Sequence, residues 1–240
     1  MKDDLQLWTE SADAWINSQG ERGDMSRQFL DPFVWEILGD VTGLSISDIG
    51  CGEGRFLRHL VDRGANAIGF EPVAPLREVA KSRGLEVHDC LAHSLPMKEP
   101  SEDWVIFYLV LIDLESIDAA MQEAYRVLKP GGKMLIVNLH PIATSTDEQF
   151  WERDAEGNKL ARRVEAYGEP RGVVYSWAGI TIRNYHRMLA QDFDSCLNAG
   201  FCLVKLIEPV PPVGQEFMKD DRISPNFIIH VWQKPIDAGG

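Results

Sequence analysis

The sequence predicts a doubly wound α/β domain with a mainly parallel sheet, an antiparallel strand at its C-terminal end, and a cap. Three observations carry this. Short apolar runs alternate with segments of helical periodicity between residues 44 and 139, the rhythm of strands joined by crossover helices. One run, 104–109, is apolar throughout, as a central parallel strand covered on both faces should be. Another, 44–49, feeds the glycines at 50, 52 and 54, a turn in which backbone can approach a ligand closely.

Each element follows in order. Leu5, Trp8, Ala12, Trp15 and Ile16 share one face of an amphipathic N-terminal helix. Asp31-Pro32 reads as an N-cap and first helical residue, with Phe33, Val34, Ile37 and Leu38 behind it and Gly39 as the stop. The strand at 44–49 leads through the glycine turn into a helix that buries Phe56, Leu57, Leu60 and Val61. A strand at 67–71, a helix at 75–82 closed by Gly84 and a strand at 85–89 repeat the unit. After the strand at 104–109 come a helix at 116–128, stopped by Lys129-Pro130-Gly131-Gly132, and a second central strand at 134–139.

Residues 142–179 break the rhythm, with Trp151, Tyr167, Tyr175 and Trp177 at irregular intervals. So long an insertion without a period is expected to be a lid or local cap. Alternation resumes with a strand at 180–185, a helix at 191–199 and strands at 202–208 and 227–233. The 240 residues fit one domain. Within it, 1–43 form a helical cap, 44–140 the binding core, 141–179 a cap insertion over the substrate, and 180–240 the C-terminal strands.

Composition narrows the partners. The net charge of −13 opposes polyphosphate, and the densest basic stretch, 153–171, is interleaved with Asp154, Glu156, Glu165 and Glu169. Nucleic acid is therefore not an expected partner. The polar, acidic start and the shortness of every apolar run give no expectation of a signal peptide, a membrane span or a membrane partner. Cys51, Cys90, Cys196 and Cys202 form no CxxC pair or disulfide framework, which points to a reducing cytoplasm. The six histidines lack metal-ligand spacing, so no metal is expected. The chain is expected to act as a monomer or homodimer.

The chemistry concentrates at two places. The turn at 50–54 opens the helix from Arg55, whose free N–H groups point toward whatever the turn holds. Glu71 ends the second strand about twenty residues beyond the first glycine, where an acid meets a ribose diol. That pair suits NAD, FAD or S-adenosylmethionine, all of which carry adenosine. A dinucleotide turn wants a small residue at 55, and Arg55 there would crowd a pyrophosphate. The GxGxG spacing suits a ligand with no phosphate to cradle.

Five segments stand in an order that resembles the class I S-adenosylmethionine-dependent methyltransferases, and most of all their methyltransferase type 11-like small-molecule branch. They are Asp48-Ile49-Gly50-Cys51-Gly52-Glu53-Gly54, Gly69-Phe70-Glu71-Pro72, Leu95-Pro96, Asp103-Trp104-Val105-Ile106 and Tyr125-Arg126-Val127-Leu128-Lys129-Pro130-Gly131-Gly132. The resemblance covers 46–139 and continues more loosely through 185–187, 199–201 and 208–209. It implies a Rossmann-like fold and S-adenosylmethionine as cofactor. Asp48, Gly50, Cys51 and Gly52 would surround its methionine part, Glu71 would hold the ribose hydroxyls, and Pro72 and Val73 would flank the adenine. Asp89 is the natural partner for the adenine amino group, with Leu91 or Ala92 able to take that place, and Cys90 would be a further cofactor-binding residue beside them. Tyr108 and Leu109 would wall the sulfonium.

Methyl transfer asks mainly for alignment, worth about 7–11 kcal/mol when good, whereas a general base typically adds only about 10²–10⁴-fold. His140 and His186 are the base candidates, because an imidazole titrates near neutral pH; each also reads as a structural anchor. Asp113, Tyr185 and Arg187 are candidate substrate contacts, as are Arg171 and Arg183 for a carboxylate. Trp8 and Trp15 read either as core or as an aromatic wall of the substrate pocket. No Asn/Asp-Pro-Pro-aromatic motif stands at 108–111, which argues against amino methylation of DNA bases or protein glutamine. The expected acceptor is an oxygen or nitrogen of a small metabolite or natural-product intermediate. The rival readings are an NAD(P)-dependent oxidoreductase and a non-catalytic cofactor-binding subunit.

Overall fold

The computed structural model describes residues 2–19, 23–97, 100–145 and 151–236. Helices α1 (Asp4–Gln19) and α2 (Met25–Leu38) precede an alternating core: β1 (Ser45–Ile49), α3 (Arg55–Asp62), β2 (Asn66–Phe70), α4 (Ala74–Ser82), β3 (Val87–His88) and β4 (Glu102–Tyr108). It continues through α5 (Asp118–Val127) and β5 (Leu128–Leu139). The short α6 (Pro141–Thr144) and strands β6 (Trp151–Arg153), β7 (Lys159–Arg162), β8 (Arg171–Trp177) and β9 (Ile180–His186) follow. Then come α7 (Leu189–Asn198), β10 (Cys202–Ile207) and β11 (Phe227–Gln233).

Seven strands form one sheet in the order β10-β11-β5-β4-β1-β2-β3. β1 runs parallel to β2 and β4, and β4 parallel to β5, whereas β11 is antiparallel to β5 and β10 to β11. The expected doubly wound sheet is therefore present, with antiparallel strands at its C-terminal end. Alternate residues of β4 and β5 face opposite layers. Ile106, Leu135 and Val137 pack with Val34, Leu57 and Leu60 on one side. Val105, Phe107 and Ile136 pack with Met121, Ala124 and Cys196 on the other. Ile106 and Phe107 are both wholly buried, and burial of such side chains stabilises by about 1.5–3 kcal/mol each.

Three expectations change. α2 starts at Met25, not at Asp31: the Asp24 carboxylate caps it, accepting the Arg27 N–H at 3.0 Å. Pro32 lies inside that helix, and Asp31 is used for an ion pair instead. The segment at 180–186 does not rejoin the main sheet. It pairs antiparallel with β8 as a separate two-stranded ribbon, so the boundary drawn at 180 falls inside one hairpin. The insertion is also less irregular than its sequence suggests, because β6–β7 forms a second hairpin. Of the predicted insertion, residues 146–150 lie outside the described residues.

Candidate active site

The crossovers from β1 and β4 leave toward opposite edges of the sheet, so a crevice opens between their carboxyl ends. A cavity of about 630 Å³ occupies it. At its floor Gly50 (φ +66°) and Gly52 (φ +57°) turn the chain through the left-handed region. A Cβ on Gly50 would lie 2.6 Å from Val110 Cγ2, whereas one on Gly52 would meet nothing within 4 Å. The first glycine is required by the wall behind it; the second leaves open space beside the backbone.

Glu71 links this turn to the next one. Its Oε2 accepts the Gly52 N–H at 2.9 Å and its Oε1 the Val73 N–H at 2.8 Å. A carboxylate oxygen carries two lone pairs, so each can still receive a hydroxyl. Burial pushes Glu71 up to about 7. Asp48, 1% exposed, is also raised to about 7 by burial, and its Oδ2 has no hydrogen-bond partner among the described residues. An orphaned buried carboxylate oxygen beside an open glycine turn fits the ammonium of an amino-acid group, and Glu71 fits a diol. The residues present therefore suit S-adenosylmethionine.

Other side chains complete the walls. Leu109, just past β4, has φ +57°, a strained value for leucine, and lines the cavity with Tyr108. Tyr108 donates its hydroxyl to Asp31 Oδ1 at 2.9 Å, and Arg55 pairs with Asp31 at 2.7 Å. Arg55 therefore ties α2 to the turn and lines the smaller recess beside Asp48, Gly50 and Gly52. From above, α1 lays Trp8 and Trp15 over the cavity, edge to face at 5.2 Å. Trp15 Nε1 donates to Glu53 Oε2 at 3.3 Å, and Arg27 stacks 4.8 Å from the Trp15 ring centre.

The structure gathers most of the expected residues and separates others. Gly50, Gly52, Glu71, Pro72, Val73, Cys90, Leu91, Tyr108, Leu109, Trp8, Trp15 and Asp113 all line the cavity. Asp48 and Cys51 line a smaller recess under Gly50 and Gly52. Asp89 does not reach the cavity: its side chain is 69% exposed and pairs with Arg77 at 3.0 Å, leaving the space beside the chain to Cys90, Leu91 and Ala92.

Neither histidine is placed to act as a base. His140 Nε2 lies 2.9 Å from Glu208 Oε1 while its Nδ1 accepts the Ile142 N–H at 3.1 Å, capping α6. His186 Nδ1 lies 2.7 Å from Thr144 Oγ1 and Nε2 donates to the Tyr167 carbonyl at 2.9 Å. Both rings are buried outside the cavity, with burial holding each below the ordinary imidazole value. The two are anchors of the cap.

Four substrate candidates are likewise committed elsewhere. Tyr185 donates its hydroxyl to Asp4 Oδ2 at 2.6 Å. Arg187 pairs with Asp192 at 2.8 Å and donates to the carbonyls of Leu111 and Leu114, holding the loop after β4. Arg183 pairs with Asp4, and Arg171 donates to the Ser145 carbonyl. Residues that sequence reasoning missed include Asp24, Arg27, Ile182, Asn184 and Phe227, which also line the cavity. Asp24 followed three residues later by Arg27 was the available signal for the first pair, as an N-cap with its partner.

Among the described residues no three His, Cys, Asp or Glu side chains gather as a metal-binding group, and no helix is long and apolar enough to cross a membrane. Comparison with known proteins agrees with the geometry. Residues 47–136 match a family model described as a methyltransferase domain. The chain is 37% identical over 133 residues to probable tRNA methyltransferase 9B of Bos taurus, covering 54% of this chain and 27% of that protein. It is 25% identical over 186 residues to malonyl-[acyl-carrier protein] O-methyltransferase of Pectobacterium atrosepticum, covering 75% and 68%. The chain thus spans about a quarter of the length of the bovine relative. In fold it resembles an S-adenosylmethionine-dependent methyltransferase of Mesorhizobium loti, with a TM-score of 0.77 at 21% identity over 87% of this chain and 99% of that one. The matched domain, the glycine turn tied to Glu71 and the sheet order together give residues 47–136 the features of a methyltransferase domain, on the fold its structural neighbour shares.

Proposed function

We propose that this protein transfers a methyl group from S-adenosylmethionine to an oxygen or nitrogen of a small molecule. One observation carries the reading: a single cavity runs from the glycine turn and Glu71 to Asp113 and Asn184 under the cap. Donor and acceptor would therefore share one space. Bound S-adenosylmethionine supplies a sulfonium methyl; the acceptor's lone pair forms the new bond to carbon, and the carbon–sulfur pair stays on sulfur.

The protein's own part is positioning. Asp48 and the recess around it would hold the methionine end, Glu71 the ribose, and Val73 with Leu91 the adenine. Tyr108, Leu109 and the tryptophans of α1 would exclude water and fix the approach, the kind of alignment that dominates such a displacement. The name of the bovine relative refers to tRNA. A net charge of −13 and an acidic cavity lining offer a polyphosphate little counter-charge, which favours the small-molecule reading. The four free cysteines agree with a reducing cytoplasm, where we place the enzyme as a monomer or homodimer.

Replacing Glu71 tests the donor site. Glu71→Gln keeps the shape but loses the charge and one acceptor oxygen, and it should weaken S-adenosylhomocysteine binding about tenfold or more by titration calorimetry. Unchanged affinity would remove Glu71 from the site. Release of S-adenosylhomocysteine on incubation with a metabolite extract, with a product one methyl group heavier, tests the transfer itself.

A further inference from the structure

The charge on the cavity walls narrows the acceptor, on the footing that the cavity holds S-adenosylmethionine. Asp4, Asp24, Glu71, Asp113 and Glu115 line it, against Arg27 as the lining guanidinium. Asp24 is matched by Arg27 at 2.8 Å, Asp4 by Arg183 and Tyr185, and Glu71 is engaged with the two turns. Asp113 differs. It ends the 3₁₀ turn Leu111–Asp113 just after β4, on the same sheet edge as Tyr108 and Leu109. Its Oδ1 accepts the Asn184 side-chain amide at 2.9 Å, while Oδ2 takes no hydrogen bond from any described residue.

The groups around Asp113 come from four elements. Burial raises its carboxyl well above the ordinary range; Arg27 from α2 and Asn184 from β9 pull it down, and Glu71 after β2 and Asp4 from α1 push it up. Arg187, just past Asn184 and the end of β9, turns its guanidinium to the Leu111 and Leu114 carbonyls and to Asp192. Trp8 and Trp177 line the same cavity.

We infer that the methyl acceptor is a compact amine, seated with its nitrogen on Asp113 Oδ2 and its apolar body against Trp8 and Trp177. An ammonium there gains a charge-assisted hydrogen bond and aromatic faces. A carboxylate or phosphate in the same place meets five acidic lining residues and a single guanidinium already paired with Asp24. Before transfer the ammonium gives one proton to Oδ2. The freed nitrogen lone pair then bonds the methyl carbon, the carbon–sulfur electron pair remains on sulfur, and the methylated nitrogen leaves as the product cation.

Three probes of one shape separate the possibilities: 2-phenylethylamine, 2-phenylethanol and phenylacetate, each titrated into protein saturated with S-adenosylhomocysteine. The amine should bind about tenfold or more tightly than the alcohol, with phenylacetate weakest. Asp113→Asn should erase the preference for the amine while leaving binding of the alcohol and of S-adenosylhomocysteine unchanged. Phenylacetate binding as well as the amine, no binding by the amine, or an amine preference that survives Asp113→Asn overturns the inference. The wild-type rank order stands as a test even if the variant fails to fold. Failure of S-adenosylhomocysteine to bind, measured first, would instead overturn the donor reading and this inference with it.

Discussion

One wall of the cavity is the carboxyl edge of the parallel sheet; the other is α1 together with the β8–β9 ribbon. The first wall is backbone held by strand pairing on both sides of β1, so its geometry is fixed by the core. The second is a helix and a hairpin joined mainly by side chains: Ser11 to Thr181, and Asp4 to Arg183 and Tyr185. The difference suggests a division of labour. The rigid wall would define the donor, and the wall built from side chains would define the acceptor.

The largest effect should come from disturbing the rigid wall. Gly50→Ala places a Cβ 2.6 Å from Val110 Cγ2, in the loop just past β4, at a φ of +66°. Affinity for S-adenosylhomocysteine should fall about 100-fold or more, with a loss of stability of about 1–3 kcal/mol. Titration calorimetry and denaturant melts measure the two. If binding survives within about threefold, the sheet edge is not the donor wall and the comparison breaks.

A pH series probes the same wall without mutation. Asp48 and Glu71 sit near 7 in the folded protein, from ordinary values of 3.8 and 4.5, because burial penalises their charge. Between about pH 4 and 7 the folded state therefore holds more protons than the unfolded state, so stability falls as pH rises through that window and levels above it. The ligand-free protein should lose several degrees of melting temperature, about 3–8 °C, between pH 5 and pH 8. The cofactor's ammonium and sulfonium favour the ionised carboxylates. Its affinity should therefore rise over the same range, and saturation with it should flatten the fall in melting temperature. Equal slopes with and without cofactor would place the two acids away from the bound cations.

The same contrast explains what could be read from sequence. The rigid wall was legible because a single local pattern, strand then glycine turn then helix, specifies both its backbone and its ligand-facing residues. Glu71 followed from its position at the end of β2, and the doubly wound order followed from alternation. The cap was not legible, since its meaning depends on pairings between distant residues such as Asp4 with Tyr185 and His140 with Glu208. His140 and His186 looked available because sequence shows neither Glu208 nor the Tyr167 carbonyl beside them. Arg27 was hidden by the expected helix start at Asp31, where a proline at an interior position imitates an N-terminal one. Ser11 carried no signal at all.

Ser11 is therefore the finest probe of the second wall. Its hydroxyl, in a residue only 2% exposed, donates to the Thr181 carbonyl at 2.9 Å and accepts the Thr181 N–H at 2.8 Å. Both backbone groups face away from β8 and belong to the ribbon's free edge, so one hydroxyl satisfies that edge and clips it to α1. Ser11→Ala leaves the pair without a partner and should cost about 1 kcal/mol, seen as a fall of about 2–4 °C in melting temperature. Because the clip does not touch the glycine turn, S-adenosylhomocysteine affinity should change by less than about twofold. Acceptor binding should weaken by more than that, about threefold to tenfold, since Trp8 and Trp177 are carried by the two elements it joins. A loss of cofactor affinity equal to the loss of acceptor affinity would mean that the two walls move as one body, and the division of labour between them would have to be given up.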